Sequence, residues 1–268
     1  AANIPCEIIL VEQPPNDKVK QMLVYGANLY RVRGFGLDPQ ITTQMVELVR
    51  QMASSPDTAM QISAFMLSPI GMTGVQTISY ELVEQLPSID HVFVPAGGGG
   101  LTLAVARGFV VMQNSGSLTS GPAIECVQPE GNNTIAGPLR DGSDEATDVQ
   151  CTSKISGLQV PNVLDGHDVI QACRTSGGTG HVVTDDEVWS MHNRLAVEEG
   201  LFCEPAGAVA LAGAIQCAEL GAISRDAVVV CLVTGSGFKD STSLDRLNKD
   251  RTCPMVELSQ VRQRVIST

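Results

Sequence analysis

The sequence predicts an α/β fold in which an open parallel sheet carries helices on both faces. Short runs rich in β-branched residues alternate with stretches whose apolar residues recur at helical spacing, the pattern of repeated β-α-β units. One such unit, residues 91–109 (HVFVPAGGGGLTLAVARGF), runs from an apolar strand through four glycines into a helical pattern. The 268 residues are 43% apolar, which suffices for a large core without disulfides or metals and excludes disorder as the main state.

Strands are expected at 7–11, 28–32, 59–64, 91–95, 123–128 and 227–233, and helices at 17–26, 41–53, 74–86 and 101–112. Thr184, followed three residues on by Glu187, forms a capping box. The helix it opens continues its apolar face through Val188, Met191, Leu195 and Val197 and ends at Gly200. Residues 204–221 pack Ala and Gly so densely that a helix there must lie against its neighbours, most naturally against the sheet. The segments 114–119 and 140–148, rich in Gly, Ser and Asp, read as loops. Beyond about residue 72 the chain becomes richer in Gly and Ala, which sets a boundary near 68–71 between a part formed by 1–70 and one formed by 71–268.

Charge and composition exclude several roles. Twenty-nine acidic against seventeen basic residues give a net charge of −12, the wrong sign for a nucleic-acid partner. No run approaches the roughly 18 apolar residues of a membrane helix, and the first residues lack the basic start and small-residue cleavage site of a signal peptide. A cytoplasmic protein is expected. Eight cysteines, at 6, 126, 151, 173, 203, 217, 231 and 253, include no Cys-x-x-Cys pair, so neither zinc nor a disulfide framework is indicated, and most are expected as buried thiols. The histidines at 91, 167, 181 and 192 are not at metal-ligand spacing. Only His181, beside the GGTG of 177–180, stands in a ligand-accessible setting.

Three segments carry candidate chemistry. A strand that ends in glycines before a helix start is an anion cradle, because bare backbone approaches closely, its N–H groups turn inward and the helix dipole adds positive potential. A tight turn alone would use one or two glycines; here Gly97, Gly98, Gly99 and Gly100 are consecutive. No Gly-Lys-Ser/Thr follows, and the sixth position of a Gly-x-Gly-x-x-Gly is Thr102, so nucleotide readings weaken and a compact phosphate monoester remains. The second segment, 228–242 (VVVCLVTGSGFKDST), places Thr234 where a strand ends, as a turn cap or as an uncharged hydroxyl facing a ligand. In the third, 201–213 (LFCEPAGAVALAG), Glu204 precedes Pro205 at a helix start, a position that favours a carboxylate for structural or functional reasons alike. Ser236 lacks the Gly-x-Ser-x-Gly elbow of serine hydrolases.

Taken in order, these segments resemble the pyridoxal-phosphate enzymes of the tryptophan synthase β-subunit fold, and within them the threonine synthase and threonine dehydratase branch. VPAGGGGL (94–101) is similar to that family's phosphate loop, LFCEPAGAVALAG to its glutamate-proline helix start, and LVTGSGFKD (232–240) to the strand end that contacts the pyridine nitrogen. GVQTISYELVEQL (74–86), VQPEG (127–131) and VVTDDEV (182–188) support the match, which extends from Cys6 to about Leu247. The TGxGxKD form and the wording EEGLFCEPAGA are nearer to threonine synthase than to the dehydratases.

The resemblance implies two α/β lobes with pyridoxal 5′-phosphate in the cleft between them, residues 1–70 belonging to the small mobile lobe and 71–268 to the large cofactor-binding one. Gly97, Gly98, Gly99 and Gly100 would donate backbone N–H groups to the phosphate, Thr234 would face the pyridine nitrogen and Glu204 would line the cleft. A neutral hydroxyl at that nitrogen suits elimination or replacement at the β or γ carbon of a small amino acid. The resemblance also implies a homodimer. Family members carry a Schiff-base lysine in an N-terminal Ser-x-Lys segment followed by a Ser-Gly-Asn loop, and neither occurs in these residues. The expectation is therefore a lyase lacking its catalytic lysine segment and inactive as it stands, with a dehydratase or a non-catalytic paralogue as the alternatives. Lys239, one of five lysines, belongs by position to the turn after the pyridine-side strand.

Overall fold

The computed structural model describes residues 4–35 and 38–261. The expected limits 1–70 and 71–268 thus begin and end outside them. Two separate parallel sheets form. In the first, β1 (Glu7–Leu10) pairs with β2 (Asn28–Arg31) across a crossover through α1 (Asn16–Val24). The side chain of Asp38 then caps α2 (Pro39–Met52) by accepting from the amides of Gln40 and Ile41. After a coil, α3 (Pro69–Thr73) passes through a 3-10 turn into α4 (Thr77–Gln85).

The second sheet is built from β3 (His91–Pro95), α5 (Gly100–Asn114), β4 (Ala123–Pro129), α6 (Ala136–Arg140), α7 (Gly166–Ser176), β5 (Gly180–Val183), α8 (Asp185–Glu198), α9 (Pro205–Glu219) and β6 (Val229–Cys231), followed by α10 (Ser241–Asn248). Its strand order is β5-β4-β3-β6, all parallel. Strand periodicity assigns the faces: Val92, Val94, Ile124 and Cys126 join the core under α5 and α7, while Phe93 and Val127 join the opposite core under α8 and α9. A sheet covered on both faces is what the near-continuous apolar strands dictate. The Ala- and Gly-rich α9 is buried along most of its length, as its composition requires.

Several expectations change. Residues 59–64 form no strand. The amides of Phe65 and Met66, at the end of that stretch, donate to the carboxylate of Asp165, at 2.7 and 3.0 Å, so the chain turns there to meet the start of α7. The loop expected from residue 140 begins at the last residue of α6, and α3, α6, α7, β5 and α10 are elements that the pattern reading passed over. Half of the cysteines are buried (126, 173, 203 and 217), two are partly buried, and Cys6 and Cys253 are exposed. Burial pushes the thiol of Cys126 up to about 12, far from the thiolate range.

Candidate active site

Parallel strands bring their carboxyl ends to one edge, and the predicted residues gather at that edge of the second sheet. Phe93 of β3 is level with Cys231 of β6, and the amide of Leu232 donates to the carbonyl of Phe93 at 3.0 Å. Three residues further along each chain stand Ala96, where the glycine loop begins, and Thr234. The loop is held from behind: the carbonyl of Gly97 accepts from Gln128 Nε2 and that of Gly98 from the amide of Asp165, both at 3.1 Å. Gly99 caps α5 at φ +94°, a left-handed conformation natural to glycine. A methyl group on Gly98 would lie 2.7 Å from Leu164 Cδ1, and one on Gly100 would collide with the carbonyl of Ser63.

The amides of Gly97, Gly98, Gly99, Gly100, Leu101 and Thr102 find no acceptor among the described residues. Among the same residues the buried Thr102 hydroxyl also has no partner. Six consecutive donors at the start of a fifteen-residue helix, four of them on glycine, could hold an anion.

Beside this loop the start of α9 is pressed onto the end of β6. A methyl group on Gly207 would collide with the carbonyl of Thr234, and one on Gly235 with the carboxyl of Glu204. The Thr234 hydroxyl lies 3.5 Å from Glu204 Oε1, while Glu204 Oε2 forms an ion pair with Lys18 Nζ at 3.3 Å. Glu204 is buried at 8% exposure, whereas Lys18, on α1, keeps its side chain 29% exposed. Asp17 accepts from the amide of Ser241 at 3.2 Å and so seats α1 against the turn after β6. Nothing in the local sequence points to Lys18, because its partner stands 186 positions away and reaches it only through the fold.

The structure thus brings Gly97 to Gly100, Thr234 and Glu204 to one edge, and it places His181 elsewhere. His181 stands on β5, and its Nε2 lies 2.9 Å from Glu125 Oε2, while His91 Nδ1 lies 2.9 Å from Oε1. An ionised carboxylate only accepts, so both imidazoles donate. Burial alone would raise the carboxyl of Glu125, yet hydrogen bonds from His181, the amide of Thr179 and His91 outweigh it and hold the group below its ordinary value. Lys239 closes the 3-10 turn Gly237–Lys239. Among the described residues no group of three His, Cys, Asp or Glu could hold a metal, and no helix is long and apolar enough to cross a membrane.

The family model of pyridoxal-phosphate dependent enzymes matches residues 1–235. The chain belongs to that family. Among curated relatives it is 28% identical over 268 residues to threonine synthase from Methanosarcina acetivorans, covering 98% of this chain and 64% of that one. To threonine synthase from Methanocaldococcus jannaschii it is 29% identical over 236 residues, covering 87% of this chain and 56% of the relative. The chain therefore spans less than two thirds of the length of either.

Solved structures agree on the fold. The processed form of threonine deaminase isoform 2 from Solanum lycopersicum superposes with a TM-score of 0.69 at 22% identity, over 94% of this chain and 68% of that one. Maize serine racemase gives 0.66 at 20%, over 98% and 70%. The carboxyl edge fits the family's cofactor, whose phosphate would meet six unpaired amides and whose ring would reach toward a strand end bearing one hydroxyl.

Proposed function

We propose that the full-length protein is a pyridoxal-phosphate-dependent lyase of amino-acid metabolism, threonine synthase-like, acting by elimination or replacement at the β or γ carbon of a small phosphorylated or hydroxylated amino acid. The observation that carries this reading is the row of acceptor-free amides from Gly97 to Thr102 on the same sheet edge as Thr234. Bound there, the cofactor supplies an electron sink for charge developing at the substrate's α-carbon. The glycine amides and the α5 dipole hold its phosphate dianion. Thr234 presents an uncharged hydroxyl to the pyridine nitrogen, and Glu204, at the N-cap of α9, stands 3.5 Å from that hydroxyl. The same reading takes residues 1–70 as part of a mobile lobe and 71–268 as the lobe that binds the cofactor. It also includes a homodimer, a small amino acid as partner rather than nucleic acid, and a cytoplasmic location.

The test is product analysis with the full-length protein. Phosphate released from an O-phosphorylated amino acid, with threonine formed, supports the threonine synthase-like reaction. Ammonia and a 2-oxo acid released from serine or threonine would replace it with a dehydratase. Cofactor binding with neither reaction would favour a non-catalytic paralogue.

A further inference from the structure

Glu204 is a buried carboxylate with few partners. Its Oε1 lies 3.5 Å from the Thr234 hydroxyl, the outer limit of a hydrogen bond, and among the described residues its Oε2 has no hydrogen-bond partner beyond the 3.3 Å ion pair with Lys18. Such a charge is tolerated in a protein interior only when something of opposite sign stands beside it. Here the counter-charge comes from the other sheet, carried on α1, which Asp17 fastens to the amide of Ser241. Gly235 passes so close to the Glu204 carboxyl that no side chain would fit between them.

We propose that Lys18 is a positioning residue that decides which way the Thr234 hydroxyl points its proton. The inference rests on the assignment of Thr234 to the pyridine nitrogen. With the ammonium on Oε2, the carboxylate is compensated and holds Thr234 only loosely, so the hydroxyl turns and donates to the ring nitrogen. Without it, the hydroxyl is the nearest polar hydrogen left to an uncompensated buried charge. The proton is drawn to Oε1, and the Thr234 oxygen then offers lone pairs to a nitrogen that also offers a lone pair. The geometry therefore couples α1 to the electronic setting of the ring without any contact between Lys18 and the ligand.

The experiment uses cofactor-free full-length protein and two probes: pyridoxine 5′-phosphate and its 1-deaza analogue, which has a carbon in place of the ring nitrogen. The parent protein is expected to prefer the nitrogen-bearing probe by about fivefold, the worth of one neutral hydrogen bond. Lys18→Arg keeps that preference. Lys18→Met abolishes it by weakening the nitrogen probe alone, with the affinity for the deaza analogue unchanged. Lys18→Gln, which retains a polar donor, gives an intermediate preference and replaces the methionine variant should that one fail to fold.

Equal weakening of both probes in Lys18→Met would overturn the proposal, since Lys18 would then touch the ligand or simply brace the site. An undiminished preference in a folded Lys18→Met would overturn it as well. A parent protein that binds both probes equally would remove the Thr234 contact itself, and one that binds neither would remove the phosphate site, so failure of the underlying reading is distinguishable from failure of the role given to Lys18.

Discussion

Glycine inside a helix costs about 1 kcal/mol relative to alanine, so Gly207, the third residue of α9, calls for an explanation in what surrounds it. The explanation is the carbonyl of Thr234, which a side chain on Gly207 would strike. Because the obstruction is backbone rather than the tip of a flexible side chain, relief requires α9 and the end of β6 to separate. Gly207→Ala is therefore expected to lose about 1–3 kcal/mol of stability despite its better helix propensity, and to weaken binding of pyridoxine 5′-phosphate because Thr234 moves. Gly74→Ala, at a position with open space around it, should stay within about 0.5 kcal/mol of the parent. Thermal unfolding and probe titration of both variants check this, and indistinguishable behaviour would show that the contact between α9 and the strand end is slack.

At the scale of elements, the start of α8 is the clearest local signal. Thr184 Oγ1 accepts from the amide of Glu187, and the Glu187 carboxylate returns to the amide of Thr184. Thr184→Ala is expected to cost about 1 kcal/mol, a fall of roughly 2–4 °C in melting temperature for a chain of this size. An unchanged melting curve would mean that packing alone starts the helix. This cap, the glycine loop, the apolar β3 and the buried α9 were all legible because their causes lie within a few residues of one another. The reading failed where causes are remote. Residues 59–64 look extended in composition, but the adjoining chain at 65 and 66 is captured by a carboxylate about a hundred positions away. Similarly, β5 has only four residues, and His181 within it took on the look of a ligand contact because its partner Glu125 belongs to another strand. The site was legible as three motifs, and the ion pair that joins α1 to one of them was not.

Across the whole molecule the two sheets differ in how much they bury. The described residues up to 60 contribute one buried apolar side chain, Met45, whereas β3 and β4 are enclosed on both faces. Two paired strands alone are marginal in water, so local opening should begin in the first sheet, with the second setting global stability. Within the second sheet Glu125 ties three adjacent strands together, accepting from His91 on β3 and His181 on β5 as well as from the amide of Thr179. Its folded-state pKa lies below the ordinary value of 4.5, so the stability it contributes is fully present above that value and disappears as pH falls through the lowered one. Glu125→Gln removes the charge and one acceptor, and at neutral pH should cost about 2 kcal/mol, the scale of a buried charge-assisted hydrogen bond. As the medium is acidified from the ordinary carboxyl value down through the lowered one, the parent loses this contribution, protonates at this position and approaches its variant. Urea midpoints measured across that range are therefore expected to converge. Midpoints that keep a constant separation down to the most acid condition at which both proteins fold would place the acid sensitivity in other carboxylates and leave Glu125 as a packing residue.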